Sequence, residues 1–195
     1  MTQTRTVAVI VGSLRKDSAS RKIAKAFAAL APQGLKFDIV EIGDLPHYDP
    51  DLETDAPPAA WTRFRDEVAQ ADAVVFVTPE YNRSSPGALK NAIDVGSRPW
   101  GKAVWVEKPA LIISTSAGAL GGFGANHALR QAISFFNMPL LGQPEAFIGN
   151  SLTLFDETGE LTNEATAEFL RSLGLAFAGF VARNLQSASD ARKAA

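Results

Sequence analysis

Apolar runs and helical periods alternate along this chain from one end to the other. Short apolar stretches predict strands over 7–11, 35–42, 73–78, 110–114 and a weaker 145–148. Helical spacing predicts helices over 20–30, 59–71, 86–95, 123–136 and 163–184. Ile23, Phe27 and Leu30 share one face of the first helix; Phe169, Leu173, Phe177 and Phe180 share one face of the last. The stretch 35–42 alternates apolar with polar, which suits a flanking, half-covered strand. Asn163 and Pro86 mark two helix starts, as an N-cap and a first-turn proline. Five strands alternating with five helices predict an α/β fold around a doubly wound parallel sheet. No internal repeat breaks the pattern. Residues 1–186 read as one domain and 187–195 as a disordered tail.

Composition narrows the classes of function. A chain of 195 residues carries one well-cored domain, and its 46% hydrophobic and 21% charged residues are those of a globular protein. The net charge of -2 provides no basic face for nucleic acid. No apolar run reaches the ~18 residues of a membrane span, and the stretch before residue 12 is too short for a signal peptide. The expected location is the cytoplasm. The absence of cysteine excludes disulfides, thiolate nucleophiles and Cys-ligated metals. His47 and His127 lack ligand spacing, so no metal site is expected.

In a parallel sheet of this kind, ligands sit beyond the carboxyl ends of the strands. Three loops follow such ends: GSLRKDSAS from Gly12, PEYNRSSP over 79–86, and STSAGALGGFG over 114–124. In the first, Arg15, Lys16, Arg21 and Lys22 against Asp17 leave a net of +3 over residues 13–22. Hydroxyls, cations and a helix start together make an anion seat. The loop lacks the second glycine of a GxxxxGK P-loop, and it is not GxGxxG. In the second loop, Tyr81 and Asn82 present an aromatic edge and an amide between Pro79 and Pro86. In the third, Gly118, Gly121, Gly122 and Gly124 permit close backbone approach. A phosphate seat beside a slot for a planar heterocycle suggests flavin mononucleotide.

GSLRKDSASRKIA, TPEYNRSSPGALKNAID and STSAGALGG with a later LR resemble the NADPH-dependent FMN reductase family, which includes bacterial quinone and chromate reductases. The resemblance covers residues 6–180. It implies a flavodoxin-like sheet in order 2-1-3-4-5, bound FMN, and homodimers or homotetramers whose subunits share the active site. By matching positions, Ser13, Arg15, Ser18, Ala19 and Ser20 are expected to hold the phosphate. Pro79, Glu80, Tyr81 and Asn82 are expected to border the isoalloxazine, with Ser116 and Gly118 completing the pocket. Arg83 stands where some relatives carry an aromatic. The segment 97–108, with Trp100 and Trp105, is read as a lid or a subunit contact. Its Arg98, Lys102 and Lys108 either meet the NADPH 2′-phosphate or are solvated.

The expected activity is hydride transfer from NADPH or NADH through FMN to a quinone, flavin or similar acceptor, chromate and azo compounds included, in ping-pong order. No protein nucleophile or general acid is required. The alternative is a flavodoxin-type electron carrier, against which the mild charge speaks. A phosphoreceiver module lacks support, since Gly12 and Ser13 stand where an acidic pair would hold Mg²⁺.

Overall fold

A computed structural model describes residues 4–194. In chain order its elements are β1 (Arg5–Val11), α1 (Ala19–Leu30), β2 (Leu35–Val40), α2 (Ala59–Ala69), β3 (Ala73–Pro79), α3 (Gly87–Gly96), β4 (Ala110–Thr115), α4 (Phe123–Ser134), β5 (Ala146–Ile148) and α5 (Glu164–Ala194), with short 3-10 turns at Pro50–Leu52 and Ser151–Thr153. All five strands pair in parallel, in order β2-β1-β3-β4-β5. This is the flavodoxin-like arrangement.

Strand alternation divides the core in two. Val7, Val9 and Val11 face α1 and α5, where they meet Ile23, Phe27, Leu173 and Phe177. Ala8 and Ile10 face α2, α3 and α4, where they meet Trp61, Phe64, Leu89 and Leu129. Both faces of the central strands are therefore covered, which is why their sequences are apolar throughout. β2 lies at an edge and is mostly half-buried, as its alternation predicts.

The connection from β2 to β3 crosses over β1, so the chain changes direction between β1 and β3. Val11 pairs with Val77, and Pro79 with Thr115, which brings the loops after β1, β3 and β4 to one edge of the sheet.

The C-terminus departs from expectation. The helix expected to end near Asn184 continues to Ala194, through the stretch expected to be a disordered tail; Ala195 lies outside the described residues. No glycine or proline follows Gly179, and Gln186 Nε2 donates to the Asp190 carboxylate at 2.9 and 3.0 Å across one helical turn. By length and composition, α5 over Glu164–Asp190 could cross a membrane. Here Leu170, Leu173, Phe177 and Val181 are buried in the core, so the apolar stripe of α5 is occupied by packing.

The segment 97–108 lies before β4, at the opposite edge of the sheet from the three loops. Trp105 is buried, donates Nε1–H to the Ile93 carbonyl at 3.0 Å and packs against Phe64 and Phe76. Lys108 Nζ donates to the carbonyls of Ala69 and Ala71, closing the C-terminus of α2, and burial lowers its pKa. The segment is thus a plug beneath α3. It cannot close over the loops at the other edge.

Candidate active site

The loop after β1 is built to receive an anion. Ser18 caps α1 by accepting from Arg21 N–H at 3.1 Å. The next two amides, those of Ala19 and Ser20, have no intrahelical partner at a helix start. Ser13, Ser18 and Ser20 are buried side by side in sequence with these amides. Among the described residues no hydrogen bond engages the Ser20 hydroxyl, and no enclosed side-chain oxygen lacks a partner, so this hydroxyl opens to solvent. Hydroxyl donors, free amides and the positive end of a helix dipole converge here.

The four cations of the loop divide into two pairs. Arg21 bonds Glu41 through two nitrogens at 2.8 and 2.6 Å, and this bond raises the arginine's pKa and lowers that of the glutamate. Lys22 pairs with Asp17 at 2.5 Å, and its hydrogen bond holds that carboxyl below the usual range. Arg15 and Lys16 are exposed and make no ion pair among the described residues. The charge available to a ligand therefore belongs to these two.

A cavity of about 350 Å³ adjoins the loop, lined by Gly12, Leu14, Arg15, Tyr81, Pro86, Gly87 and Ala88. A side chain at position 12 would bring its Cβ to 3.0 Å from Leu89 and 3.2 Å from Thr78, so the glycine keeps this floor low. Tyr81, half exposed, and Leu14, also exposed, both line it. Leu14, Gly87 and Ala88 were not legible as lining from sequence, although the Pro86–Gly87 start of α3 could have pointed to them.

The loop after β3 is a tight hairpin. Tyr81 and Ser84 exchange two backbone hydrogen bonds of 2.9 Å, with Asn82 and Arg83 both left-handed at φ of 49° and 65°. Pro79 ends β3 beneath it. Glu80 turns its carboxylate away toward α4 and accepts from Ala125 N–H at 3.2 Å. Ser116 and Gly118 follow β4 at the same edge but do not line the cavity. Instead Ser116 Oγ donates to Gly118 O at 3.0 Å, and Asn150 N–H donates to the same carbonyl at 3.2 Å, tying this loop to the end of β5.

The donor set suits a flavin phosphate: it offers two unpaired cations, free amides and hydroxyls, beside a slot with one aromatic wall and a glycine floor. The basic segment residues Arg98, Lys102 and Lys108 lie at the other edge of the sheet, away from the slot of the same chain.

Comparison with known proteins identifies the family. Residues 5–153 match the family described as NADPH-dependent FMN reductase. A quinone reductase of Pseudomonas putida is 55% identical over 184 residues, 94% of this chain and 98% of that protein. A 2-hydroxy-1,4-benzoquinone reductase of a Burkholderia species is 44% identical over 90% of this chain and 95% of its own length. The solved structure of FerB, a flavoenzyme NAD(P)H:(acceptor) oxidoreductase of Paracoccus denitrificans, superimposes with a TM-score of 0.87 at 42% identity, covering 93% of this chain and 99% of that one. The matching family and the curated relatives named here are reductases, and the electron-carrier alternative gives way. The chain belongs to the NADPH-dependent FMN reductase family and is an NAD(P)H-dependent oxidoreductase.

Proposed function

We propose that this enzyme reduces quinones with NAD(P)H, using FMN seated between the loop after β1 and the hairpin after β3. The observation that carries the reading is the slot of about 350 Å³ lined by Gly12, Leu14 and Arg15 of the loop that leads into α1 and by Tyr81 of the hairpin after β3. When bound, FMN supplies a ring nitrogen that accepts hydride and a reduced ring that passes electrons onward. Arg15 and Lys16, the amides of Ala19 and Ser20, and the hydroxyls of Ser13, Ser18 and Ser20 hold the phosphate. Tyr81, Pro86 and Gly87 wall the planar ring and keep water from that side. Asn82, in the hairpin next to Tyr81, would offer its amide to a pyrimidine edge, and Ser116 lies on the neighbouring loop at the same edge of the sheet.

Tyr81 and Leu14 close two sides of the slot, which supports a single open face for the donor and the acceptor in turn. Turnover is then ping-pong. Quinones lead as acceptors because the similar proteins named above are quinone reductases. Free flavin, chromate and azo compounds belong in the same panel, since an open reduced ring discriminates weakly. Exposed Trp100 and Phe135, at 77% and 70%, support assembly as a homodimer or homotetramer, which light scattering would register. Action in the cytoplasm, where NAD(P)H is regenerated, goes with this reading.

Initial rates with NADPH and a benzoquinone test the proposal. Parallel double-reciprocal lines are expected, with each substrate inhibitory in excess. Intersecting lines would require two separate sites. Failure of FMN-loaded protein to oxidise NADPH with any acceptor of the panel would remove the function itself.

A further inference from the structure

Glu80 sits in the hairpin that walls the slot, yet its carboxylate faces the other way. One oxygen accepts from Ala125 N–H at 3.2 Å, in the first turn of α4, and the other lies 3.5 Å from Arg83. The carboxylate is largely buried, at 16% exposure. An acceptor with a negative charge is favoured at that end of a helix by both the free amides and the dipole.

Gly124 lies under the same hairpin. A Cβ at this position would come 2.8 Å from the Arg83 carbonyl and 3.0 Å from the Glu80 carboxylate. The hairpin therefore rests directly on the backbone of α4. It also needs holding there, because Arg83 adopts a left-handed conformation that a non-glycine residue keeps only under constraint. Among the described residues no hydrogen bond crosses the slot from residues 12–20 to residues 80–86. The place of Tyr81 is thus set from the α4 side.

We infer that Glu80 is a positioning residue for quinone reduction: it fastens the hairpin to α4 and so fixes the width of the slot that Tyr81 walls. The inference rests on the reading of that slot as the flavin seat. It separates two tasks that share one edge of the sheet. The loop of residues 13–20 sets how tightly phosphate is held, and the lock between Glu80 and α4 sets how well an acceptor fits.

Three variants test it: Glu80→Ala, Glu80→Gln and Gly124→Ala. Glu80→Ala should raise the KM for a benzoquinone about tenfold, the scale of one lost charge-assisted hydrogen bond. The dissociation constant for FMN should rise by clearly less than the KM, since the ring keeps its other walls and no phosphate donor is touched. Amide exchange at Ala125 should quicken in the FMN-free protein. Glu80→Gln keeps an oxygen for Ala125 and should fall between parent and Ala in all three readouts. Gly124→Ala leaves the carboxylate intact and pushes the hairpin from below against the Arg83 carbonyl, so it should raise the quinone KM, with a melting temperature lowered modestly by the overpacking. It keeps the proposal testable if Glu80→Ala fails to fold. An unchanged quinone KM in Gly124→Ala, or an FMN constant that rises as much as the KM in Glu80→Gln, would overturn the assignment. Parent protein that takes up no FMN would instead remove the functional reading, while the exchange contrast at Ala125 would still test the lock.

Discussion

Arg21 meets Glu41 through two nitrogens, at 2.8 and 2.6 Å, so this cation is neutralised before any anion arrives. Lys22 is likewise held by Asp17. Four cations near one loop thus reduce to two with a free charge. Arg15 also lines the slot, and its planar fork can donate twice to a phosphate where Lys16 offers a point charge.

Arg15→Ala should therefore weaken FMN binding about 10- to 100-fold, the range for losing a hydrogen bond to a charged group. Lys16→Ala should cost only a few-fold. Titration of FMN-free protein by flavin fluorescence measures both. A dominant Lys16 with a neutral Arg15 would contradict the assignment of the phosphate seat.

Acid should weaken the fold partly through Glu41. The hydrogen bond from Arg21 lowers its pKa, with burial opposing. A carboxyl depressed in the folded state stabilises above its ordinary pKa, and that contribution is lost as pH falls through the folded value. Glu41→Gln should then lower the urea midpoint near neutrality and leave it almost unchanged once the parent's Glu41 is protonated. The effect should be about 1 kcal/mol or less, because both groups touch solvent and salt screens them. A loss that grows toward low pH would reverse the sign and contradict the linkage.

Gly96→Ala should be costly for a different reason. A Cβ there would lie 2.5 Å from the buried indole of Trp105, with the core on the far side. Overpacking of this kind costs about 1–3 kcal/mol, read as a lower melting temperature or urea midpoint. The folded fraction should bind FMN as the parent does, since α3 separates Gly96 from the slot at Gly87. Loss of FMN affinity with unchanged stability would return the 97–108 segment to the active site.

These cases mark what could be seen in the chain before its structure. The strands and helices were legible because each must bury an apolar face, and the periods of strand and helix are local. The sheet order came from the family resemblance, and the convergence of three loops followed from parallel pairing. Long-range partners were not legible. Nothing local tells that Arg21 reaches Glu41, or that Glu80 turns from the slot to Ala125. Nor does spacing reveal that Trp105 folds under α3: an aromatic in a charged connection reads equally as surface and as plug. The C-terminal helix ran past its expected end because Ala, Ser, Gln and Arg hold helical geometry without an apolar period to announce it.

The most direct test of the account compares FMN with riboflavin as ligands of the FMN-free protein. The two share the ring that enters the slot and differ only in the phosphate assigned to Ser13, Arg15, Ser18, Ala19 and Ser20. With at least two charge-assisted hydrogen bonds at stake, riboflavin should bind at least about 100-fold more weakly. The gap should narrow in Arg15→Ala and persist in Glu80→Gln. Equal affinities for FMN and riboflavin in the parent protein would mean that no phosphate is held at the start of α1, and would contradict the account at its centre.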